Sequence, residues 1–499
     1  MKAASTTSWE GREGRGADGP AGDGSWDGSW VDDVLLAGPG ADICLVFDAP
    51  VTRADLRRLV LERQAGLAAA GLRAGGTAAL CLAPSLALVT ELLAGWRSGA
   101  QVALLDHRLT PYETGRALER LAAQVVVTAE PVGPGPARGY HDQHPVARPR
   151  PGGLPARTPH ALVQLSSGST GPAKIIGRTA ADLVAEIGRY ARIEGVPRAG
   201  ERIVSMASMV HVLGLVGGLL HSLAAGVRLA FPARASAEGI LAAVAAGPEP
   251  TTLLGVPFHI ELLSWVARPP RLPQLTGMTT GGELVRARVH EAFTDRYGVR
   301  LGSMYGMTEV GVIATDLFGE HRPEVTPAPG IAVREVDGEL LIATERSPYI
   351  GFDDPARWSD GWLHTRDGGS VDPGTGRVRV LGRLDSQVSV GGLKVDLTEV
   401  EHTLAELPDV SAAVVVFGSS VEAYAVLRAD GSADAAGARG RVEAGLAERL
   451  APYKRPRLLH VVDELPRTAT GKLVRDLAVL RATAAPATAA PPPDRPPAG

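Results

Sequence analysis

From residue 42 onward, short apolar runs alternate with amphipathic segments along the chain. Runs such as ICLVFD at 43–48 and TAALCLAP at 77–84 predict buried strands, because each is short and is bounded by turn residues. Thr52 with Asp55 three positions later is typical of a helix start, and apolar residues at helical spacing follow it. Strands that alternate with helices in this way predict a parallel sheet with helices on its faces.

The pattern changes further along the chain. Residues 131–159 are rich in Pro, Gly and Arg without an apolar period, and they predict a long surface connection. Alternation resumes at residue 160, and the apolar segment HVLGLVGGLLHSLAAG at 211–226 predicts a buried helix. Period-two segments from 331 to 381 predict the hairpins of a small β subdomain. The region after residue 385 has strands and helices of its own and predicts a second, mobile domain.

These patterns predict an α/β fold with two domains. A large N-terminal domain of parallel-sheet α/β subdomains plus a small β subdomain is followed by a small mobile α+β C-terminal domain. The predicted boundaries are a disordered tail at 1–28, the N-terminal domain at 29–383, the C-terminal domain at 384–480 and a second disordered tail at 481–499. Trp26 and Trp30, at the end of the first tail, either dock onto the body or stay exposed in a linker.

Composition narrows the class of protein. The chain has 499 residues, 45% of them apolar, which is enough for a large buried core. Its net charge of −4 and the absence of a long basic run argue against a nucleic-acid partner. The two cysteines, Cys44 and Cys81, lie in apolar runs and are expected to be buried thiols. Without a signal-peptide pattern or an apolar run of about 18 residues, we expect no membrane span and a cytoplasmic location.

The stretch LSSGSTGPAKI at 165–175 is the first candidate for chemistry. Its polar positions are Ser166, Ser167, Gly168, Ser169, Thr170, Gly171 and Lys174. Backbone N–H groups of a Gly-rich turn, hydroxyls and a nearby lysine favour a bound polyphosphate, although a flexible loop has a similar composition. The familiar kinase loop G-x-x-x-x-G-K-S/T is not matched, because Ala173 precedes Lys174 and Ile175 follows it.

This stretch resembles the phosphate-binding signature of the adenylate-forming (ANL) superfamily, which includes acyl-CoA and aryl-CoA synthetases, adenylation domains of peptide synthetases, and luciferases. Further segments resemble the family's other motifs in the same order: MVHVLGLVGGLL, TTGGEL, YGMTE, GWLHTRD, GRLDSQVSVGGLKVDLTEVE and APYKRPRLLHVVDELPRTATGK. The resemblance runs from about residue 42 to 478. It implies ATP-dependent formation of an acyl-AMP from a small carboxylic acid with release of pyrophosphate. The acyl group then passes to the thiol of coenzyme A or of a carrier-protein phosphopantetheine.

The resemblance also implies a role for each matched residue. Lys472 is the expected catalytic lysine, Thr308 and Glu309 are expected at the reacting phosphates with Glu309 as the Mg²⁺ ligand, and Asp385 is the expected hinge. The implied nucleotide- and thiol-binding residues are Ser166, Ser167, Gly168, Ser169, Thr170, Gly171, Lys174, Gly282, Glu283, Tyr305, Gly306, Asp367, Arg383, Gly391 and Gly392. Rotation of the small domain about the hinge would move Lys472 away from the site and bring the face with Gly391 and Gly392 toward it. These two glycines would leave room for a pantetheine arm.

A separate set of residues is expected to form the acyl pocket. It comprises His211, Val212, Gly214, Phe258, Gly281 and Met304, and its glycines serve either to leave room for the acid or only for helix packing. His211 has two interpretations, a packed core histidine or a catalytic gate that faces the carboxylate. Amino-acid-activating relatives usually have an Asp near Val210 and His211, and a buried ammonium without a partner is costly. We therefore expect an aryl, alicyclic or aliphatic acid.

Several positions depart from the family pattern and leave alternatives open. Lys174 is followed by Ile175, Arg366 replaces the Gly of T-G-D, and Ser389 stands where Lys is common. A member specialised to one half-reaction, a luciferase-like oxygenase and a non-catalytic nucleotide- or acyl-binding homologue are the alternatives. No carrier-protein segment follows the predicted C-terminal domain, so the thiol is expected in trans, from coenzyme A or a separate carrier protein. The assembly is expected to be a monomer or homodimer.

Overall fold

The structure is a computed structural model that describes residues 27–130, 138–165, 174–282, 285, 287–384, 386–428, 435–466 and 473–484. Several predicted site residues lie outside this part of the chain: Ser166, Ser167, Gly168, Ser169, Thr170, Gly171, Glu283, Asp385 and Lys472. Most of both predicted tails lies outside it as well. The predicted roles of these residues therefore stay predictions.

Several of the helices begin where the sequence supplies a capping side chain. The α-helices are α1 Arg53–Ala69, α2 Leu86–Arg97, α3 Pro111–Leu121, α4 Ala180–Ala191, α5 His221–Ala225, α6 Ala237–Ala245, α7 Pro257–Ser264, α8 Ala287–Tyr297, α9 Leu397–Ala405, α10 Ala435–Arg449 and α11 Leu477–Ala484. The Thr52 hydroxyl accepts from Asp55 N at 3.1 Å, which confirms the predicted start of α1. Thr110 and Glu113 form a reciprocal capping box at the start of α3.

The predicted apolar helix at 211–226 is present, but its first part is a π-helix at Leu213–Leu220, which continues into α5. A second π-helix covers Val31–Leu35, and a 3₁₀ turn covers Pro452–Lys454. α11 continues past residue 480, where the sequence pattern placed the end of the small domain.

The strands of the N-terminal domain are β1 Ile43–Val46, β2 Pro50–Thr52, β3 Thr77–Cys81, β4 Gln101–Leu104, β5 Val125–Thr128, β6 Val146–Pro149, β7 His160–Leu165, β8 Ile175–Thr179, β9 Arg202–Ser205, β10 Arg228–Ala230, β11 Thr251–Gly255, β12 Leu275–Gly281, β13 Arg300–Met307, β14 Gly311–Asp316, β15 Glu324–Pro327, β16 Val333–Val336, β17 Glu339–Ala343, β18 Tyr349–Ile350, β19 Trp358–Ser359, β20 Trp362–Val371 and β21 Val378–Arg383. The C-terminal domain contains β22 Gln387–Val390, β23 Leu393–Asp396, β24 Val410–Phe417, β25 Val421–Leu427 and β26 Leu458–Val461.

Two large sheets form the N-terminal domain, as the strand–helix alternation predicted. One has the order β18-β8-β7-β4-β3-β5-β6, and β5, β3, β4 and β7 run parallel in it. The other contains the parallel set β1-β10-β9-β11-β12-β13. Because the carboxyl ends of parallel strands share an edge of each sheet, ligand-binding loops gather there.

Two details of the sheets differ from the sequence prediction. The segment 131–159 is not a connection throughout, because β6 pairs antiparallel with β5 inside it. The β subdomain predicted at 331–381 is present as β16, β17, β20 and β21, but β15 and β14 join it to the parallel strands in one sheet.

The largest core lies around the helices of the N-terminal domain and includes Trp96, which is 1% exposed. The Trp30 ring packs against Trp96 with their centroids 5.2 Å apart, so the second of the two predicted tail tryptophans docks on the body. Cys44 is buried and Cys81 partly buried, and both are free thiols. Within the described residues, none of the helices combines the length and apolar character needed to cross a bilayer.

Two clusters of buried side chains cover the two faces of the small domain's sheet. The first packs α9 and α10 against β24 and β25, with Val400 and Val442 among its fully buried members. The second contains Tyr424 and Leu480, and it packs α11 against the sheet. The small domain therefore has its own core, as the sequence predicted.

Candidate active site

A cleft of about 1510 Å³ lies between the carboxyl edges of the N-terminal sheets and the C-terminal domain. The predicted site residues that line it are Lys174, His211, Val212, Phe258, Gly281, Gly282, Met304, Tyr305, Gly306, Thr308, Glu309, Asp367, Arg383, Gly391 and Gly392. They come from both domains and from positions far apart in the chain. The fold thus brings the described motif residues into one cavity.

Gly214 is the described pocket residue that does not line the cleft. A Cβ built there would lie 2.6 Å from the Ala207 carbonyl oxygen. This glycine lets the π-helix pack against the segment after β9, so its role is close packing and not room for the acid. Gly281 does line the cleft, and a Cβ there would lie 2.7 Å from the Met304 carbonyl oxygen.

Tyr305, Asp367 and Arg383 form a hydrogen-bonded group at one end of the cleft. The Tyr305 hydroxyl donates to Asp367 Oδ2 at 2.7 Å, and Arg383 Nη1 donates to Oδ1 of the same carboxylate at 3.2 Å. Asp367 and Arg383 lie opposite each other across β20 and β21. Burial and the neighbouring Asp367 carboxylate raise the pKa of Tyr305 well above its ordinary value, so the hydroxyl stays protonated as a donor.

Arg366 shows how the chain tolerates a departure from the family pattern. Its φ of +61° lies in the left-handed region, where glycine is favoured. Its backbone N donates to Glu339 Oε1 at 2.8 Å, and its Nη2 donates to the Ala356 carbonyl at 2.7 Å. These bonds hold the left-handed backbone within β20 that a glycine would adopt more easily, and the following Asp367 still reaches Tyr305.

Glu309 lies in the turn between β13 and β14 and lines the cleft. The Tyr349 hydroxyl donates to its Oε1 at 3.3 Å, and burial raises the pKa of the carboxyl. Within the described residues, no group of three or more His, Cys, Asp and Glu side chains is arranged to hold a metal by itself. A single partly buried carboxylate suits Mg²⁺ that arrives with phosphates, because Mg²⁺ is usually bound by one or two carboxylates plus substrate oxygens.

Lys174 is the described residue of the predicted phosphate segment. It precedes β8, it is 7% exposed, and it lines the cleft. Its Nζ lies 5.1 Å from the centroid of the Phe352 ring, which fixes the position of the ammonium. A buried cation at this edge of the sheet is suited to a phosphate.

The part of the cleft that the sequence analysis expects to take the acyl group contains two uncharged imidazoles. Burial lowers the pKa of His211, and its Nε2 has no hydrogen-bond partner among the described residues. Burial also lowers the pKa of His259 to about 4, and its Nδ1 accepts from Val256 N at 3.2 Å. Gln164, which the sequence analysis did not identify, donates to the Val210 carbonyl at 2.7 Å and fixes the backbone beside His211.

The C-terminal domain presents a hairpin turn to the cleft. Gly391 and Gly392 join β22 to β23 with φ of +57° and +81°. A Cβ on Gly392 would lie 2.5 Å from Val256 Cγ1 in the N-terminal domain. Lys394 Nζ on the same hairpin donates to the Gly282 carbonyl at 3.3 Å, and the Ser389 hydroxyl is buried without a hydrogen-bond partner in the described residues. Gly391 and Gly392, the glycines predicted to approach the site, line the cleft in this structure.

A charged contact between the domains was missed by the sequence analysis. Lys454 Nζ lies 2.9 Å from Glu113 Oε1 of the N-terminal domain and 2.8 Å from Glu399 Oε1 of its own domain. Lys454 and Glu113 each expose only 9% of the side chain. Beside them, the Arg108 guanidinium lies 5.4 Å from the Tyr453 ring.

Asp106 fixes Arg108 in this contact. Burial opposes its ionisation, but the hydrogen bonds and charge of Arg108 outweigh burial and lower the pKa of Asp106 to about 2. Asp106 follows the end of β4 by two residues, and this place at the carboxyl edge of the sheet is a signal that sequence analysis can use.

Comparison with known families gives two matches that together span most of the chain. The AMP-binding enzyme family matches residues 36–347, and the AMP-binding enzyme C-terminal domain matches residues 399–472. Among curated proteins, a benzoate–CoA ligase of Thauera aromatica is 29% identical over 63% of this chain and 65% of its own length. A p-hydroxybenzoic acid–AMP ligase, FadD22, of Mycobacterium tuberculosis is 28% identical over 81% of this chain and 61% of its own length.

Solved structures share the fold over nearly the whole chain. An o-succinylbenzoate CoA synthetase of Bacillus subtilis superposes with a TM-score of 0.75 at 24% identity, covering 90% of this chain and 97% of that one. A malonyl-CoA ligase with methylmalonyl-CoA and AMP bound gives 0.70 at 25% identity, covering 88% and 99%. The alignments with the two curated ligases span slightly less than two thirds of those proteins. The chain belongs to the AMP-binding enzyme family, the family that its motifs resemble.

Proposed function

We propose that this protein is an AMP-forming acid–thiol ligase. It would join a carboxylic acid to AMP with release of pyrophosphate, and then transfer the acyl group to the thiol of coenzyme A or of a carrier-protein phosphopantetheine. The supporting observation is that one cleft holds the Tyr305–Asp367–Arg383 group, Glu309, Lys174 and the Gly391–Gly392 hairpin. Because ATP and coenzyme A are intracellular, we propose that the reaction takes place in the cytoplasm.

The first step brings a carboxylate onto the α-phosphate of ATP, so negative charges crowd at the reacting centre. Asp367 and Arg383 would hold the ribose, and Tyr305 would border the adenine and fix the Asp367 carboxylate. Lys174 and the segment before it would bind the departing pyrophosphate, and Thr308 and Glu309 would lie at the phosphates. Mg²⁺ held by Glu309 would neutralise phosphate charge. Lys472 would donate to the carboxylate oxygen and the α-phosphate.

In the second step, the thiol attacks the acyl carbon and AMP leaves. The left-handed backbone of Gly391 and Gly392 keeps this turn free of side chains where the hairpin meets Val256. A pantetheine arm would pass beside this turn to the acyl end. His211, uncharged and without a hydrogen-bond partner in the described residues, would contact the acyl carboxyl group or gate its approach.

We propose an aryl acid as the substrate, with alicyclic and aliphatic acids as the wider class. The lining by Val212, Met304 and Gly281 is apolar or small, and the two imidazoles are uncharged. The nearby Asp106 carboxylate is engaged by Arg108 at 2.8 and 2.6 Å, so it offers no ready partner for an α-ammonium. Two of the relatives act, by name, on benzoate and p-hydroxybenzoic acid, which supports the aryl proposal.

The test is a panel of carboxylic acids incubated with ATP and Mg²⁺, with and without coenzyme A, with products identified by mass. We expect acyl-AMP and pyrophosphate without coenzyme A, an acyl-CoA with it, and the fastest turnover with aryl acids. α-Amino acids serve as the matched negative set. Failure of every acid to release pyrophosphate would contradict the proposal and favour a binding protein. Acyl-AMP without acyl-CoA would restrict the protein to adenylation or to a carrier-protein acceptor.

A further inference from the structure

A buried ion pair lies behind the turn that carries Glu309. Glu186 on α4 is 0% exposed, Arg178 on β8 is 5% exposed, and their side chains are in direct contact. Charged groups are expensive to bury unless they are paired and hydrogen-bonded. The pair takes no part in the proposed reaction, so a buried ion pair beside the cleft needs another explanation.

The second carboxylate oxygen of Glu186 holds the backbone beyond the Glu309 turn. Val312 N donates to Glu186 Oε1 at 2.8 Å. The pairing of β13 and β14 shifts register between Tyr305 and Gly306, and Val312 lies opposite Gly306 at this irregularity. Gly311 has φ of +92°, and a Cβ there would overlap the Glu186 carboxylate. A side-chain carboxylate therefore fixes the strand directly after the turn.

The same strand, β8, reaches Glu309 by a second path. Tyr349 on β18 pairs with Ile176 of β8, and the Tyr349 hydroxyl donates to Glu309 at 3.3 Å. β8 begins immediately after Lys174. One short strand thus connects Lys174 to Glu309 itself and, through Arg178 and Glu186, to the strand that follows the Glu309 turn.

We propose that Glu186, with Arg178 as its counter-charge, is a positioning residue that holds the Glu309 turn in register with Lys174. It acts through the backbone of Val312 and touches neither substrate nor nucleotide. The proposal rests on the proposed function, because it gives the turn a purpose in binding ATP and Mg²⁺. A misplacement of about 1 Å at such a group can lower a rate by roughly a hundredfold.

The experiment compares two double variants, Arg178→Leu/Glu186→Gln and Arg178→Leu/Glu186→Met. Both remove the buried ion pair without leaving one of its charges alone, and Gln and Met have similar lengths. They differ in that the Gln side chain retains an acceptor for Val312 N. Arg189, one turn further along α4 and electrostatically coupled to Glu186, is unchanged in both.

The Glu186→Met double variant is expected to raise the KM for MgATP in pyrophosphate exchange about tenfold over the Glu186→Gln double variant. Thioesterification of a supplied acyl-adenylate, which needs no pyrophosphate contact, is expected to agree within about twofold between them. Binding supplies a second readout. The extra thermal stabilisation that Mg²⁺ adds to ATP alone is expected to shrink in the Met variant and to persist in the Gln variant.

Equal KM values in the two variants, or equal losses in both half-reactions, would overturn the positioning role and leave only a structural one. Unfolding of the Met variant is checked by its melting transition, and Arg178→Leu/Glu186→Leu, which also lacks an acceptor for Val312 N, then replaces it. In that case a KM for MgATP raised about tenfold over the Glu186→Gln double variant supports the role of the acceptor, and an equal KM contradicts it. If the wild-type protein catalyses no pyrophosphate exchange with any acid, the proposed function fails, and the positioning role fails with it.

Discussion

The small domain presents two faces with different attachments. The cleft face consists of the β22–β23 hairpin and the Tyr453–Lys454 turn, and it is joined to the N-terminal domain through Lys454–Glu113 and Lys394–Gly282. The far face consists of residues 473–484, packed over β24–β26. None of the described residues on the far face lines the cleft.

The far face is bound to its own domain by charge as well as by packing. Arg475 makes two hydrogen bonds to Glu401, at 2.6 and 2.7 Å. Arg481 pairs with Glu422, which is fully buried. A segment attached in this way moves with its domain. We propose that the thiol step uses this arrangement, in which the Gly391–Gly392 hairpin lines the cleft.

The largest expected effect distinguishes the two faces directly. Lys472→Ala is expected to lower pyrophosphate exchange by about a hundredfold to a thousandfold, because it removes a donor from the developing charge on the phosphate. Thioesterification of a supplied acyl-adenylate is expected to fall less than about threefold, since the cleft face serves that step. Single-turnover assays of the two half-reactions measure both. Equal loss in both steps would contradict the division of roles.

A smaller effect is expected on the cleft face itself. Gly392→Ala combines a left-handed φ with a clash, because the new Cβ would lie 2.5 Å from Val256 Cγ1. Gly391→Ala is the matched control, since its φ is also left-handed but no atom lies within 4 Å of the new Cβ. We expect Gly392→Ala to slow thioesterification about tenfold more than Gly391→Ala, with pyrophosphate exchange nearly equal in the two. Identical losses would mean that backbone strain alone decides the outcome.

The interdomain ion pair is expected to bias the rotation by a smaller amount. Glu113→Gln keeps an acceptor for the α3 capping box but loses the charge facing Lys454, which retains Glu399. We expect thioesterification to slow about fivefold, because the variant loses roughly 1 kcal/mol of the stabilisation of this domain arrangement. Adenylation is expected to be unchanged or faster. Glu119→Gln, an exposed position on the same helix, removes the same charge as a control. Slower adenylation in Glu113→Gln would contradict a role in holding the thiol-step arrangement.

Much of the fold followed from local patterns. Short apolar runs gave the parallel strands, and Thr52 with Asp55 gave a helix start, because strand burial and capping depend on neighbouring residues. β6 was missed because it is an edge strand with three of its four residues exposed, so no apolar period marks it. The single continuous sheet was also missed, because the pairing of β15 with β21 joins residues far apart in the chain.

The site could be predicted where a motif carried it and not where contacts cross the domains. Tyr305, Asp367 and Arg383, which the motifs assigned to nucleotide binding, lie together in the structure, and their binding role stays a prediction. The pairing of Lys454 with Glu113 depends on how two separately folded domains dock, and no local pattern in either segment encodes that. Gly214 was placed in the pocket because a glycine that leaves room for a ligand and one that permits close packing are identical in sequence.

The last expected effect is on stability and not on rate, and it concerns the N-terminal side of the contact with the cleft face, where Asp106 holds Arg108 against Tyr453. The pKa of Asp106 in the folded protein, about 2, lies below its ordinary value of 3.8. This carboxylate therefore contributes stability above about pH 4 that is lost as the pH falls toward 2. The difference between the two pKa values corresponds to about 2 kcal/mol of unfolding free energy. Asp106→Asn is expected to lower the unfolding free energy by about that amount at pH 6 and by progressively less toward pH 2. Urea unfolding followed by tryptophan fluorescence measures the difference, and a gap that stays constant with pH would show that Asp106 acts through packing and not through its charge.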